Sequence, residues 1–318
     1  MREILVTDIA GVPIGQVENV SAGTGCTVFI SREGMPAGMD VRGGGPASRE
    51  SELLNPLASA QVIHAVVLAG ESAFGLDAAG GVMRYLEEHG IGFNVGVTRV
   101  PLVVQSCLFD LTVGDKNIRP DHAMGYEAAR TALESPNYQD GNHGAGTGAT
   151  VGKFAGMDTC MKSGIGSYAV QIGELQVGAV VAVNALGDVF DWRTGEKLAG
   201  LTTGDTTELM RQNYAPVSNK FTGNTTLAVV MTNAAFTKSQ LCKIAGMAQD
   251  GLARSIRPVH TSADGDTAYA LSVGTVAADM DLVGTLVAEV VSEAITRAVK
   301  SCDGAYGFPS YREILKEE

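Results

Sequence analysis

Apolar residues fall into short continuous runs and helical stripes that follow one another along the chain. The run 65–69 (Ala-Val-Val-Leu-Ala), stopped by Gly70, predicts a buried strand. From 72 to 89, Leu76, Ala79, Val82, Met83 and Leu86 recur at helical spacing, and Gly90 stands where a helix ends. Residues 100–111 read as a strand interrupted by Pro101, and 121–134 as a second helix capped by Asp121. A glycine-rich loop covers 141–156. Strands are predicted over 168–172, 177–186 and 189–192, with a Gly187-Asp188 hairpin between the last two. Residues 199–222 are rich in Thr, Asn, Gln and Gly without apolar periodicity and read as a mobile linker. Beyond it come a strand over 225–231, a helix over 237–255 opened by a Thr237/Gln240 capping box, a strand over 267–273 and an Ala-, Val- and Leu-rich helix over 281–302. Sheets flanked by helices, with little βαβ regularity, predict an α/β (α+β) protein layered helix–sheet–sheet–helix. No internal repeat is visible, and the stretch at about 200–224 is the one boundary within a single domain, 1–318.

Composition narrows the function classes. The chain has 318 residues, 45% of them apolar, enough for a sizeable core. Its 40 glycines recur along the whole length, as expected for many tight connections between strands. A net charge of −12 argues against nucleic acid or an anionic membrane as partner. Five cysteines, an odd number without a CxxC pair, suit reduced thiols in a cytoplasmic protein. The N-terminus lacks a signal-peptide core, and no apolar run approaches membrane-spanning length.

Candidate chemistry gathers at four places. Gly223-Asn224-Thr225-Thr226 lies where the linker meets a buried strand. Such a step is ordinarily a turn. A threonine made N-terminal there would instead carry both a hydroxyl nucleophile and an amine base of pKa ~7.7–8.0. Asp264 and Asp266, two residues apart before the next strand, can converge on the first residue of a neighbouring strand, or simply form a polar turn. The spacing of an EF-hand calcium loop is absent. The run 144–153 fails the P-loop pattern at Thr147 and Phe154, which leaves Lys153 as a surface lysine or as a modulator of a nearby nucleophile. Asn184, inside an apolar strand, must find partners, either as a structural hydrogen-bonder or as an oxyanion donor. His143 and His260 lie near these loops without metal-ligand spacing.

The assembled pattern resembles the L-aminopeptidase/D-esterase family, which includes β-aminopeptidases and endo-type 6-aminohexanoate-oligomer hydrolases. The resemblance runs through Thr7-Asp8-Ile9-Ala10-Gly11-Val12 with Gly15, Arg42-Gly43-Gly44-Gly45-Pro46, residues 70–79 from Gly70 through Ser72 and Phe74, the loop 146–153 and the Asn184 strand. It is most specific over 223–230 and over 254–261 into Asp264-Gly265-Asp266-Thr267. It implies an N-terminal-nucleophile-like sandwich cleaved between Asn224 and Thr225 into associated chains, 1–224 and 225–318. By position, Thr225 would be the nucleophile and its amine the base, Asn184 the oxyanion donor and Lys153 an aid to the nucleophile. Asp264 and Asp266 match the acidic pair of the oligomer-hydrolase branch, where the aminopeptidase branch tends to carry Ser then Glu. Ser72, Phe74 and Phe109 are expected to bind substrate, Phe109 falling near a Tyr that relatives often carry.

The reaction so implied is hydrolysis of a small amide or peptide through an acyl ester, with no cofactor or metal and with processed heterodimers assembling further. Competing readings are a β- or L-aminopeptidase, an acyltransferase of the ornithine acetyltransferase type, and an uncleaved small-molecule binding protein.

Overall fold

A computed structural model of the chain describes residues 1–213 and 223–314. A six-stranded and a five-stranded sheet are built from β1 (Arg2–Ile4), β2 (Ile14–Asn19), β3 (Thr24–Met35), β4 (Ala37–Val41), β5 (Ala47–Arg49), β6 (Ile63–Ala69), β7 (Val103–Cys107), β8 (Ile165–Ile172), β9 (Leu175–Asn184), β10 (Thr225–Ala234) and β11 (Thr267–Val276). The larger sheet runs β1-β8-β9-β10-β11-β4 and the smaller β2-β3-β6-β7-β5. Neighbours are antiparallel except β10 with β11 and β6 with β7. Helices α1 (Ala78–Glu88) and α2 (His122–Glu134) cover the smaller sheet. Between the two pairs in sequence lies the short α3 (Thr206–Gln212), and α4 (Lys238–Ser255) and α5 (Met280–Ser301) cover the larger sheet.

Side-chain alternation explains why the sheets stack. In β10, Ala228 and Val230 enter the core under α4 and α5, whereas Leu227, Val229 and Met231 enter the core between the sheets. In β6, Val66 and Leu68 face the other sheet, and Ala65, Val67 and Ala69 face α1 and α2. A strand buried on both faces reads as an unbroken apolar run, which is why 65–69 and 225–231 stand out in the sequence. The helix layers sit close because glycines open the sheet surface. A Cβ at Gly15 would lie 2.3 Å from the Ala128 carbonyl oxygen in α2, and one at Gly166 would lie 2.3 Å from that of Ala294 in α5. The expected helix–sheet–sheet–helix order is therefore present.

Several local expectations are revised. Residues 72–89 divide into a 3-10 turn, Ser72–Asp77, and α1 proper, after a bend in which Glu71 and Ser72 have φ of 63° and 55°. The strand expected over 100–111 narrows to β7, with a short Arg99–Val100 strand before it. The Gly187-Asp188 hairpin does not form: Asp188–Phe190 pairs with Lys197–Ala199 and Ile256–Arg257 instead of β9. The chain leaves the sheet because Gly187 abuts the Arg257-Pro258 backbone and Asp188 turns inward. Part of the expected linker is ordered too. The Asp205 side chain accepts from the N–H groups of Thr207 and Glu208 and starts α3, while 214–222 lies outside the described residues.

Asp188 ties that segment down. Fully buried, its carboxylate accepts from Leu201 N–H at 2.7 Å, Thr206 N–H at 2.7 Å and Thr206 Oγ1 at 2.8 Å, with Lys197 Nζ at 3.5 Å. Removing one partner of a buried ionic network costs about 3–5 kcal/mol. Asp188→Ala should therefore lower the urea midpoint strongly and expose 197–206 to proteolysis; an unchanged midpoint would contradict this role.

Candidate active site

Strand parity brings Asn184 and Thr225 together. They are register partners at the end of the β9–β10 pair, and both continue the rows that face the other sheet. One residue before β10, Asn224 bridges in parallel to Asp264, extending the β10–β11 pairing into the loop. Asn224, Thr225, Asp264 and Asp266 are all buried. The Thr225 hydroxyl hydrogen-bonds to the carbonyl oxygen of Asn224, and that oxygen also accepts from Gly265 N–H at 2.9 Å.

Of the two aspartates only Asp266 reaches the start of β10, whereas Asp264 holds Thr261, and among the described residues neither carboxylate hydrogen-bonds to the Thr225 side chain. Asp266 Oδ1 accepts from Thr226 N–H at 2.7 Å, and its Oδ2 accepts from the His260 N–H at 3.0 Å and contacts His260 Nδ1 at 2.9 Å. Asp264 Oδ2 accepts from Thr261 N–H at 2.9 Å and Thr261 Oγ1 at 2.5 Å.

Lys153 closes the other side. It is fully buried, which excludes the surface reading, and its Nζ donates to Asn184 Oδ1 at 2.7 Å, the Asn184 carbonyl at 3.0 Å and the Gly223 carbonyl at 3.1 Å. Asn184 Oδ1 also accepts from Thr150 N–H at 3.1 Å, and its Nδ2 donates to the Phe109 carbonyl at 2.8 Å. The Phe109 ring covers Gly223, where a Cβ would lie 2.3 Å from the ring. The glycine-rich loop is held from beneath by a second buried lysine. Lys162 Nζ donates to the carbonyls of Gly146 at 3.2 Å, Ala149 at 3.1 Å and Ser163.

The arrangement joins a buried hydroxyl, a polarised peptide carbonyl, a lysine and two anchored carboxylates. The model of Peptidase family S58 matches residues 5–310. The chain belongs to peptidase family S58. An uncharacterized aminopeptidase of Mycobacterium leprae is 36% identical, over 96% of this chain and 92% of its own length. A 6-aminohexanoate-oligomer endohydrolase of Agromyces sp. is 28% identical, over 94% of this chain and 87% of its own. Among solved structures, the L-aminopeptidase D-Ala-esterase/amidase of Ochrobactrum anthropi, described as a variant of the Ntn hydrolase fold, superposes with a TM-score of 0.66 at 19% identity. It covers 94% of this chain and 86% of that one. The fold is that of the Ntn hydrolases, and this S58 chain is a hydrolase of amide bonds.

Ser72 and Phe74 of the S58 chain lie on the turn after β6, and among the described residues neither hydrogen-bonds to Thr225 or Lys153. Ser72 N–H donates to the Leu108 carbonyl at 2.9 Å, which ties the turn to the segment bearing Phe109. Phe74 is exposed, with the Arg119 guanidinium 3.5 Å from its ring centroid. Glu71, within the 70–79 motif, is fully buried, and among the described residues its carboxylate has no hydrogen-bond partner. Burial first, then the neighbouring Asp110, pushes it up to about 8. Two groups at the site escaped the sequence reading. His260, set aside as a lone histidine, orients Asp266 from a backbone with φ of 57°, and Gly265 reaches the Asn224 carbonyl through its peptide N–H. The one signal for either was its place in the 254–267 motif. Among the described residues, no helix is long and apolar enough to cross a membrane.

Burial lowers Lys153 from the usual lysine value to about 7, against smaller opposing contributions led by Cys160 and Asp264. Burial, and then Asp266, raises the Asp264 carboxyl. The sign for stability follows. Between about 7 and the unfolded value of ~10.4, the folded chain binds fewer protons at Lys153 than the unfolded chain. Its contribution is most favourable above that window and is lost as pH falls toward 7. Lys153→Met should flatten the rise in stability across the window by up to about 1.4 kcal/mol per pH unit. Urea denaturation from pH 7 to 10 checks it, and parallel curves for the two proteins would contradict it.

Proposed function

We propose that this chain is a self-processing amide hydrolase that cuts itself between Asn224 and Thr225 and then uses Thr225 as its nucleophile. The observation that carries the reading is the Thr225 hydroxyl, buried at the first position of β10 and hydrogen-bonded to the carbonyl of the bond to be cut. In the uncut chain the Thr225 nitrogen is an amide and cannot serve as a base. Cleavage turns it into an α-amine of pKa ~7.7–8.0 beside its own hydroxyl, the nucleophile–base pair of N-terminal threonine enzymes.

In turnover, Thr225 Oγ1 attacks the substrate carbonyl and the amine takes its proton. The ammonium then protonates the leaving amine, and water opens the ester. Asn184 Nδ2 has a second N–H beyond the one given to Phe109, and this one holds the oxyanion. Lys153, bound to Asn184 and to the Gly223 carbonyl, supplies a cation close to the developing charge. Asp264 and Asp266 are positioning residues that hold the start of β10 and the 260–266 loop. Ser72, Phe74 and Phe109 form one wall of the substrate site.

Residues 1–224 and 225–318 stay together after the cut because their strands interleave. β10 is hydrogen-bonded between β9 and β11, and β11 in turn pairs with β4. Further assembly of these heterodimers and a cytoplasmic site of action complete the reading; the five free cysteines fit the latter. The substrates are small amides, of the kinds named by the aminopeptidase and oligomer-hydrolase relatives.

Thr225→Ala should remain one full-length chain and hydrolyse no amide; splitting at the same bond in that variant would refute self-processing. Asp266→Asn should slow turnover of a 6-aminohexanoate oligomer or an amino-acid p-nitroanilide by at least roughly tenfold. Near-normal turnover would remove Asp266 from the mechanism.

A further inference from the structure

We infer that the peptide N–H of Gly265 is the oxyanion donor of self-cleavage, and that the aspartates on either side of it serve chiefly to aim it. This rests on the self-processing reading above. The donor already stands 2.9 Å from the Asn224 carbonyl oxygen, on the residue between Asp264 and Asp266.

The loop around Gly265 is tethered on every side. The Asp264 carboxylate accepts from Thr261 N–H and Oγ1 and, at 3.4 Å, from Leu186 N–H. The Asp266 carboxylate bridges Thr226 N–H to His260. The main-chain carbonyls are bound as well. That of Asp264 accepts from Gly45 N–H at 2.8 Å, that of Gly265 from Thr267 Oγ1 at 3.0 Å, and that of Asp266 from Arg42 N–H at 3.0 Å. A donor so held is preorganised, with no reorientation left to make as charge develops.

This geometry accounts for two glycine motifs. A Cβ at Gly265 would lie 2.6 Å from Thr225 Oγ1 and displace the nucleophile. In the Arg42–Pro46 motif, a Cβ at Gly43 would lie 2.3 Å from Asp266 N and one at Gly44 would lie 2.8 Å from Ser262 Cα, so only glycine lets that segment press against the loop.

The step balances as follows. Thr225 Oγ1 bonds to the Asn224 carbonyl carbon, and the π electron pair moves onto the oxygen that Gly265 N–H already contacts. Collapse of this intermediate breaks the bond from that carbon to the Thr225 nitrogen, which receives the proton lost by the hydroxyl. An ester joins Asn224 to Thr225 Oγ1. Water hydrolyses it to the Asn224 carboxylate and a free Thr225 hydroxyl, leaving Thr225 as a chain terminus.

The test replaces Gly265 with glycolic acid by in vitro translation of the full chain, which exchanges this one N–H for an ester oxygen and adds no side chain. Cleavage is followed over time on denaturing gels, with thermal melting of each chain in parallel. Loss of an oxyanion donor should slow cleavage by about 10²–10³-fold while the melting midpoint stays within a few degrees. Cleavage at the unmodified rate overturns the inference. Thr225→Ala, run alongside, separates the two ideas: a cut at the same bond in that chain defeats the self-processing reading itself. Should the ester chain not fold, Thr261→Val removes one tether of Asp264 and leaves Thr225 and Gly265 intact. It should slow cleavage by about tenfold, and an unchanged rate in the folded variant overturns the aiming role.

Discussion

The hydrogen bond from Gly265 N–H to the Asn224 carbonyl is the contact on which the site depends. It carries the parallel pairing of β10 and β11 one step beyond the sheet, through the Asn224–Asp264 bridge. It also fixes the plane of the peptide that precedes Thr225. With that plane set and the strand buried on both faces, the Thr225 hydroxyl has little freedom and lies against the carbonyl of its own predecessor. Position here comes from the sheet, whose strands are far stiffer than a surface loop. The four-layer stacking matters to the chemistry because it removes water from the peptide at its centre.

The charged groups around that peptide are arranged by burial. Lys153 and Lys162 are both lowered by desolvation, to about 7 and about 8, and both donate to oxygen acceptors of the loops that frame Thr225. Asp264 and Asp266 satisfy backbone donors that would otherwise be stranded in the interior. Each group therefore supports the fold and the site together, since a buried polar network is stable only when all its members find partners. Among the described residues Glu71 departs from this, a buried carboxyl without a hydrogen-bond partner on a bend of left-handed backbone.

The parts of this structure that were legible in sequence are those where one local rule acted alone. Residues 65–69 and 225–231 are apolar on both faces and read as strands; the Thr237/Gln240 box and the Asp121 cap mark helix starts that the structure contains. Strand β3 gave no such signal, because Thr24, Gly25, Thr27 and Ser31 break its apolar run while the fold buries them. The Gly187-Asp188 hairpin looked right by turn chemistry and failed because the partners of Asp188, at 197, 201 and 206, are distant in sequence. At the site, Thr225, Asn184, Lys153 and the aspartate pair stand out in the sequence with their roles open, the resemblance supplies the expected roles, and the structure brings them together. The contribution of Gly265 could not be read, since a backbone N–H carries no residue signature. Nor could that of His260, whose meaning lies in its contact with Asp266.

The central claim is that the bond between Asn224 and Thr225 is broken by the chain itself. Intact-mass spectrometry of purified, amide-hydrolysing protein tests it most directly. The account predicts two polypeptides whose masses correspond to residues 1–224 and 225–318, the smaller beginning with a free threonine amine. Active material consisting only of the unbroken polypeptide would contradict it.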